Sequence, residues 1–306
     1  MEDLFTKARA EIAAKYPLIA NGLVDHNNAA PEVITQSKKI IADFITHKGN
    51  DALSGGLDAF SKISLDFIRL QSRFIRSGKY RAQDAEEMIR DLYQNSEKME
   101  GYYLDGLFLS YAFWPNHAQM LQFYKNRFLA NQQEKKSCLE IGVGHGLMAL
   151  SMLRNLTDVA YTGVDVSPAA LKYVQRLMER QKIDSNRFAL HEVNVMSARK
   201  MANISKPDGG FSYAVCCEVL EHVMQPETLL NRIHDQIQPE AELFLTTVVN
   251  IEAEDHVYLF KNTEQIRELT DMCRFQIKEE LVLPLPGFPE GPSQPFNYAA
   301  VLTKSI

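Results

Sequence analysis

The stretch Cys138-Leu139-Glu140-Ile141-Gly142-Val143-Gly144-His145-Gly146 decides the fold of this chain, because an apolar run leads into three glycines at alternate positions. A segment with the pattern of a helix follows it. Glycine permits a tight turn and lets a ligand approach where a Cβ would clash, and the first N–H groups of the next helix face the same space. The stretch therefore predicts a nucleoside-binding turn at the carboxyl end of the first strand of an α/β sheet.

Beyond residue 135 the chain alternates between strand-like and helix-like patterns. We predict strands over Lys136–Ile141, Val159–Asp165, Phe188–Val195, Phe211–Cys217, Glu242–Val249, Phe275–Val282 and Asn297–Thr303. We predict helices over Leu147–Asn155, Pro168–Lys182, Pro226–Ile237 and Thr263–Cys273, the last capped by Thr263. This alternation indicates a parallel sheet with helices on both faces. No helix separates the last two strands, which permits antiparallel pairing. We expect a Rossmann-like seven-stranded, mostly parallel sheet with a C-terminal antiparallel strand.

The first 130 residues carry almost no strand-like alternation. Their apolar spacing predicts helices over Asp3–Tyr16, Pro31–His47, Leu57–Ser77, Ala82–Trp114 and Pro115–Ala130. The fourth of these is expected to break near Gly101 or Gly106. We therefore expect an all-α N-terminal domain over residues 1–130, capping the site and selecting the substrate, and an α/β domain over residues 131–306.

Composition narrows the class of protein. The 306 residues carry a formal net charge of −6 and no concentrated basic stripe, which argues against a nucleic-acid partner. No apolar run approaches the ~20 residues of a membrane span, and Met1-Glu2-Asp3 is an acidic start unlike a secretory signal. The four cysteines form no C-x-x-C pair, so they predict reduced thiols and no cysteine-paired zinc site. We expect a cytoplasmic protein with no membrane partner.

A second acidic position follows the glycine turn. Asp165 ends the second predicted strand in Thr162-Gly163-Val164-Asp165, where nucleotide-binding α/β folds accept hydrogen bonds from ribose hydroxyls. The spacing G-x-G-x-G differs from the dinucleotide fingerprint G-x-G-x-x-G, whose wider loop suits a pyrophosphate. S-adenosylmethionine has no phosphate, and its ammonium group suits an acidic or carbonyl-lined wall such as Glu140 and the loop. The two positions together favour S-adenosylmethionine as the cofactor.

Residues 136–304 resemble a class I S-adenosylmethionine-dependent methyltransferase of the small-molecule branch. The resemblance lies in the glycine turn, in Val164-Asp165-Val166-Ser167, in Phe211–Val223 and in His256-Val257-Tyr258-Leu259-Phe260. It implies that Glu140, Gly142, Gly144 and Gly146 line the methionine end of the cofactor, that Asp165 binds the ribose, and that Val166 lies against the adenine. Cys217 and Glu218 are expected near the methionine part, and Asn194 and Val195 near the adenine. The family often has an acid where Asn194 stands, but an amide oxygen accepts the same hydrogen bond.

Acceptor-side residues are predicted from position. The aromatic run before the sheet supplies Tyr102, Tyr103, Phe113, Trp114 and His117 as substrate contacts, since aromatic faces attract a sulfonium. Asn250 and the loop Pro284–Phe296 would form the opposite wall. The catalytic candidates are His145, His222 and Tyr111, and His145, His222 or a tyrosine could serve as a general base.

Glu218-x-x-Glu221-His222 leaves a metal open. Two carboxylates on one face of a helical turn and an adjoining imidazole could hold a divalent ion, and some quinone-precursor O-methyltransferases resembling this motif bind a metal there. The same motif shapes the cofactor pocket in relatives that need no metal. We assign no metal, and we expect His256 to be structural or at the rim.

The resulting hypothesis is an S-adenosylmethionine-dependent methyltransferase (EC 2.1.1 class) acting on a small molecule by direct displacement at the sulfonium methyl, in specialised metabolism. Three alternatives stay open. The aminobutyrate part of the cofactor could cyclise to azetidine-2-carboxylate with release of methylthioadenosine. The chain could be a catalytically idle S-adenosylmethionine-binding partner module, or, as a weaker rival, an NAD-dependent dehydrogenase. The acceptor atom and a homodimer are also left open.

Overall fold

The computed structural model describes residues 3–25, 28–132, 137–288, 290–291 and 293–305. Its N-terminal part is helical, with α1 Leu4–Lys15, α2 Pro31–Lys48, α3 Leu53–Ser77, α4 Ala85–Met88, α5 Ser96–Lys98, α6 Leu104–Phe113 and α7 Pro115–Phe123. Wider helical turns occupy Ile89–Tyr93, Met99–Tyr103 and Tyr124–Phe128, and 3₁₀ turns occupy Pro17–Gly22, Asn50–Ala52 and Leu129–Asn131.

The predicted break at Gly101 or Gly106 is wrong. The chain breaks after Tyr93, where the side chain of Asn95 caps α5 by accepting a hydrogen bond from the Lys98 N–H at 3.1 Å. Gly106 lies inside α6, at a point where α3 passes very close. A Cβ on residue 106 would come within 2.5 Å of the Ile63 side chain in α3. This glycine allows close helix packing and does not end the helix.

Seven strands form one sheet in the order β3-β2-β1-β4-β5-β7-β6. Their bounds are β1 Ser137–Ile141, β2 Ala160–Asp165, β3 Phe188–Glu192, β4 Phe211–Cys217, β5 Ile237–Val249, β6 Phe275–Pro284 and β7 Phe296–Lys304. Strands β1 to β5 run parallel, and β7 pairs antiparallel with both β5 and β6. The predicted fold class is confirmed. The predicted start of β1 at Lys136 lies outside the described residues.

The helices of the sheet half are α8 Leu147–Asn155, α9 Pro168–Arg180, α10 Ala198–Ala202, α11 Pro226–Gln236 and α12 Thr263–Met272. The predicted cap of α12 is one residue off: Asn262 is the cap, and its side chain accepts a hydrogen bond from the Gln265 N–H at 3.0 Å. The short α10 was not predicted, because five residues carry too little apolar periodicity to indicate a helix.

The helical part packs directly on one face of the sheet. Tyr124 and Phe128 lie 4.8 and 5.5 Å from the ring of Phe244 in β5, and all three side chains are buried. Arg154 of α8 donates two hydrogen bonds to Asp43 of α2, at 2.6 and 2.8 Å. One apolar cluster therefore joins the two parts, while α11 and α12 cover the other face. The domain boundary near residue 130 stays a prediction.

Two further observations concern membranes and thiols. Within the described ranges, every helix is too short or too polar to serve as a membrane span. The four cysteines are free; Cys138, Cys216 and Cys273 are buried, and Cys217 is half-buried.

Candidate active site

A cavity of about 880 Å³ lies between the carboxyl ends of the strands and the helical part. We call the side formed by residues 140–145, 165–166, 193–196 and 217–225 the sheet-end floor, and the side formed by residues 63–117 the helical cover. The size is at the upper end of the range for small-molecule sites, about 300–1,000 Å³. Parallel α/β sheets bind their ligands at this edge.

The three glycines of the turn have different tasks. All have positive φ, of 71° at Gly142, 48° at Gly144 and 74° at Gly146. A Cβ on Gly142 would come within 2.6 Å of Val219, and one on Gly146 within 2.8 Å of Val174, so these two permit packing. A Cβ on Gly144 would meet nothing closer than 3.9 Å, and this glycine lines the cavity. Gly144 is therefore the position that leaves room for a ligand, whereas Gly146 packs against Val174 and is not among the described residues that line the cavity.

Asp165 is held by the same turn. One carboxylate oxygen accepts from the Gly144 N–H at 3.0 Å and the other from the Ser167 N–H at 2.8 Å. Burial raises the pKa of Asp165, and these hydrogen bonds oppose the rise. A carboxylate has about four lone-pair sites, so both oxygens keep acceptor capacity for a diol.

Glu140 is a buried acid in the floor. The Tyr161 hydroxyl donates a hydrogen bond to it at 2.9 Å. Burial, with a smaller effect from the charge of Asp165, raises the pKa of Glu140 to about 8. A cation placed beside this carboxyl would favour its ionised form, so the floor is suited to a positively charged ligand.

The remaining predicted cofactor residues also line the cavity. They are Val166 after β2, Asn194 and Val195 after β3, Cys217 at the end of β4 and Glu218 directly after it. Glu218 has φ +52° rather than a helical conformation. Its carboxylate accepts a hydrogen bond from the Thr246 hydroxyl at 2.7 Å, and burial raises its pKa.

His222 has a defined tautomer. Its Nδ1 lies 2.9 Å from the backbone oxygen of Asp255. A carbonyl oxygen only accepts, so Nδ1 carries the proton and the lone pair of the neutral ring is on Nε2. The nearest carboxylate oxygen, Oε1 of Glu221, lies 3.9 Å from Nε2. His222 can therefore accept a proton at Nε2.

Two tyrosines of the helical cover complete this cluster. The Tyr93 hydroxyl donates to the Asp255 carboxylate at 2.9 Å and lies 3.1 Å from Nδ1 of His222. The Tyr103 hydroxyl donates to the same carboxylate. Burial raises the pKa of Asp255, but His222, His256 and the two hydroxyls outweigh it and hold the pKa below its usual value. Asp255 is therefore a buried anion that connects the cover to His222.

Sequence reasoning missed Tyr93 and Asp255 as members of the site. Asp255 immediately precedes the quoted motif at His256, so the motif could have drawn attention to it. For Tyr93 no sequence signal existed, because its partner lies 162 residues away.

A second aromatic cluster lies beside the glycine turn. The ring of Tyr111 lies 5.3 Å from His145 and 4.8 Å from His117, and the ring of Trp114 lies 4.8 Å from His117. Burial lowers the pKa of His145 to about 4 and that of His117 to about 3. Nδ1 of His145 accepts from the Leu147 N–H at 3.3 Å, so its neutral ring carries the proton on Nε2. His145 is therefore a hydrogen-bond donor and a weak base.

Two predicted substrate residues lie elsewhere. Phe113 is fully buried against Phe5 and Phe60, with centroids 5.8 and 5.2 Å away, because its position on α6 faces the helical core. Asn250 has φ +54° and donates to the backbone oxygens of Lys261 and Gln294, so it holds the chain after β5. The other predicted substrate residues line the cavity; they are Tyr102, Tyr103, Trp114 and His117. Residues 285–288 of the predicted opposite wall also line it. Pro289 and Pro292 of that wall lie outside the described part of the chain.

The cluster of side chains that could hold a metal ion differs from the predicted Glu218, Glu221 and His222. One ligand atom each from Glu221, His222 and His256 lies within 4.8 Å of the others, while Glu218 bonds to Thr246 instead. His256, expected to be structural or at the rim, is among the residues that line the cavity, and burial lowers its pKa to about 4.

A sequence profile described as a methyltransferase domain matches residues 115–281, more than half of the chain. The chain belongs to the methyltransferase-domain family. This confirms the resemblance to class I S-adenosylmethionine-dependent methyltransferases, for which S-adenosylmethionine is the cofactor. The match begins at α7, so most of the helical cover lies outside it.

Similar proteins cover only part of this chain. The mitochondrial ubiquinone biosynthesis O-methyltransferase of Schizosaccharomyces pombe is 28% identical over 113 residues, 37% of this chain and 38% of the relative. The ubiquinone biosynthesis O-methyltransferase of Coxiella burnetii is 25% identical over 134 residues, 44% of this chain and 52% of the relative. The chain thus spans from about two fifths to half the length of these relatives. The phosphoethanolamine N-methyltransferase 2 of Haemonchus contortus, solved with S-adenosyl-L-methionine, has a similar fold with TM-score 0.53 and 16% identity, covering 74% of this chain and 61% of that one.

Proposed function

We propose that this chain transfers a methyl group from S-adenosylmethionine to a small-molecule acceptor enclosed under the helical cover. The observation that carries the proposal is the turn at Gly144, which leaves the backbone open to the cavity while its N–H orders Asp165. The family match and the position at the carboxyl ends of the parallel strands support it.

The residues of the floor fit the cofactor. Asp165 keeps lone pairs for ribose hydroxyls, Gly144 provides space, and Glu140 offers a carboxyl that a cation would ionise. When bound, S-adenosylmethionine supplies a methyl group made electrophilic by its positive sulfur. The floor residues bind and orient it.

We assign the proton-accepting role to His222. Asp255 holds the proton on Nδ1, so the Nε2 lone pair is available for a hydroxyl or amine proton of the acceptor. Tyr93 and Tyr103 are positioning residues, because they act on His222 through Asp255. Tyr111 and His145 contribute a wall beside the glycine turn rather than a base.

The experiment that tests the proposal separates the chemistry by product. The purified chain is incubated with S-adenosylmethionine and extracts of small metabolites, and the nucleoside product is identified by mass. S-adenosylhomocysteine with a methylated acceptor supports methyl transfer. Methylthioadenosine would instead indicate the cyclisation reaction. Calorimetric binding of S-adenosylmethionine without either product would favour an idle module.

A further inference from the structure

The described cavity lining lacks a permanent cation. It has eight carboxyl groups and neither a lysine nor an arginine, and burial raises the pKa of several of these carboxyls, including those of Glu140, Glu218 and Glu221. Three of the four lining histidines, His117, His145 and His256, have a pKa lowered by burial to about 4 or below, so they are uncharged near neutral pH. An anionic acceptor would lose its hydration without gaining a lysine or arginine partner from the described lining, which is unfavourable in a buried site.

The polar end of the lining offers the lone pairs of two imidazoles. Glu221 beside them is fully buried, and burial raises the pKa of its carboxyl, so the imidazoles are the acceptors of this end. His222 and His256 each place Nδ1 near a backbone carbonyl, of Asp255 at 2.9 Å and of Ile251 at 3.2 Å. Both rings therefore keep the lone pair on Nε2. A ligand group that satisfies this end must itself donate a hydrogen bond.

The outer part of the cavity is apolar. Phe67 of α3 lies 6.1 Å from Trp114 and 6.2 Å from Phe288, and these rings form one wall with Ile63 and Leu107 nearby in the lining. At the edge, Leu18 is 80% exposed and Met224 is 59% exposed, although both line the cavity. Large exposed apolar side chains beside a cavity are typical of a binding site for an apolar ligand.

On the basis of the proposed function, we infer that the acceptor is a non-anionic amphiphile: a hydroxyl or amine group that donates a hydrogen bond, carried on an extended apolar body. The polar group lies by Glu221 and His222, and the apolar body lies along the wall of Phe67, Trp114 and Phe288. Acceptors that carry a carboxylate or a phosphate are excluded.

Three probes with the same octyl tail and aromatic ring test this inference: 4-octylphenol, 4-octylanisole, which lacks the hydroxyl hydrogen, and 4-octylbenzoate, which is an anion. Binding is measured calorimetrically at pH 7.5 with saturating S-adenosylhomocysteine and with EDTA, so that no metal ion bridges. We expect the phenol to bind about tenfold or more tightly than either other probe, the ratio that one lost hydrogen bond or one unpaired buried charge produces. Equal or tighter binding of the benzoate overturns the inference, as does equal binding of the anisole.

A charge-insertion variant gives a second, independent test. Phe67→Lys places a cation in the wall, and we expect it to reduce the preference for phenol over benzoate by about tenfold or more. Leu4→Lys is the control, because Leu4 is exposed and does not line the cavity. An unchanged ratio in Phe67→Lys overturns the inference. Binding of S-adenosylhomocysteine is measured first: its absence contradicts the proposed function, whereas its presence with an anion-tolerant cavity contradicts only the acceptor class.

Discussion

The sheet-end floor and the helical cover meet at one cavity, but they are assembled over different distances along the chain. In the floor, the Gly144 N–H and the Asp165 carboxylate are separated by 21 residues. Between the cover and the floor, Tyr93 meets His222 across 129 residues and Tyr103 meets Asp255 across 152. The glycine turn and Asp165 are thus the product of one strand–turn–helix–strand unit. The contacts that the two cover tyrosines make with the floor exist only after the cover has packed on the sheet.

This difference separates two kinds of function. Cofactor binding depends on residues that a short local unit places, so a substitution there should affect S-adenosylmethionine affinity. Acceptor positioning depends on contacts between the two parts, so a substitution in the cover should leave that affinity unchanged. The following predictions test the separation.

The largest effect is expected from Gly144→Val. Valine at φ +48° costs about 1–2 kcal/mol in backbone strain, and its methyl groups would occupy the space left for the cofactor. We expect the calorimetric affinity for S-adenosylmethionine to fall by at least about a hundredfold. Gly209→Val is the matched control, since Gly209 has φ +81° and open space around it outside the cavity. Retained affinity in Gly144→Val would refute the close-approach role of this glycine.

A pH effect is expected from Glu140. The folded pKa of about 8 exceeds the value of about 4.3 in an unfolded chain. The folded state therefore binds more protons between these values, and the free energy of unfolding falls as the pH rises from about 4.5 to 8. Glu140→Gln should remove the part of this slope that comes from Glu140, on the order of a few kcal/mol.

Urea unfolding of the cofactor-free protein at several pH values checks this prediction. Glu268→Gln, at an exposed position, is the control and should keep the slope of the original chain. A slope unchanged in Glu140→Gln would show that Glu140 is ionised throughout. Added S-adenosylmethionine should reduce the slope, because a cation beside the carboxyl lowers its pKa.

Asp165→Asn should weaken S-adenosylmethionine binding by about ten- to a hundredfold. Hydrogen bonds to a charged group contribute about 1.5–3 kcal/mol, and the amide loses part of the acceptor capacity. The exposed Asp158 supplies a control in Asp158→Asn. Calorimetry measures the S-adenosylmethionine affinity of both variants. Unchanged affinity in Asp165→Asn would show that the ribose does not bind to Asp165.

The smallest effect on cofactor affinity is expected from a substitution in the helical cover. Tyr93→Phe removes a hydroxyl beside Nδ1 of His222, yet we expect S-adenosylmethionine affinity to stay within about twofold of the original, because Tyr93 bonds to Asp255 rather than to the glycine turn. Nitrogen NMR of the imidazoles should show the Nδ1–H tautomer for His222 and the Nε2–H tautomer for His145 in the unmodified chain.

Tyr93→Phe should retain these tautomers. Its His222 signals should be broader, because the imidazole ring loses the neighbouring hydroxyl. Tyr80→Phe is the control, since its hydroxyl donates to the Tyr258 backbone oxygen and does not contact His222. An Nε2–H tautomer for His222 would contradict its assignment as the base.

Much of the fold could be predicted from the sequence. The seven strands and their change from parallel to antiparallel follow from local alternation and from the missing crossover before β7. The errors are instructive because they arise from packing. Gly106 was interpreted as a break, but it is a glycine required by the approach of α3 to α6.

The residues of the site also fall into two groups, those that a short local segment places and those that only tertiary packing places. Asp165 and Gly144 could be predicted because the turn that joins them is encoded within one short segment. The positions of Phe113 and Asn250 could not be predicted. The side of a buried helix or strand end that faces a cavity depends on the elements packed against it. The network of Tyr93, Asp255 and His222 had no local signature at all.

By itself, then, the amino-acid order determined the sheet, the glycine turn and the class of cofactor, because hydrogen bonding and backbone conformation act over a few residues. Only the tertiary structure decided which acids, imidazoles and aromatic rings share the cavity, and which ring nitrogen of His222 keeps its lone pair. Those properties arise when burial removes water and leaves a side chain only the partners that packing places beside it.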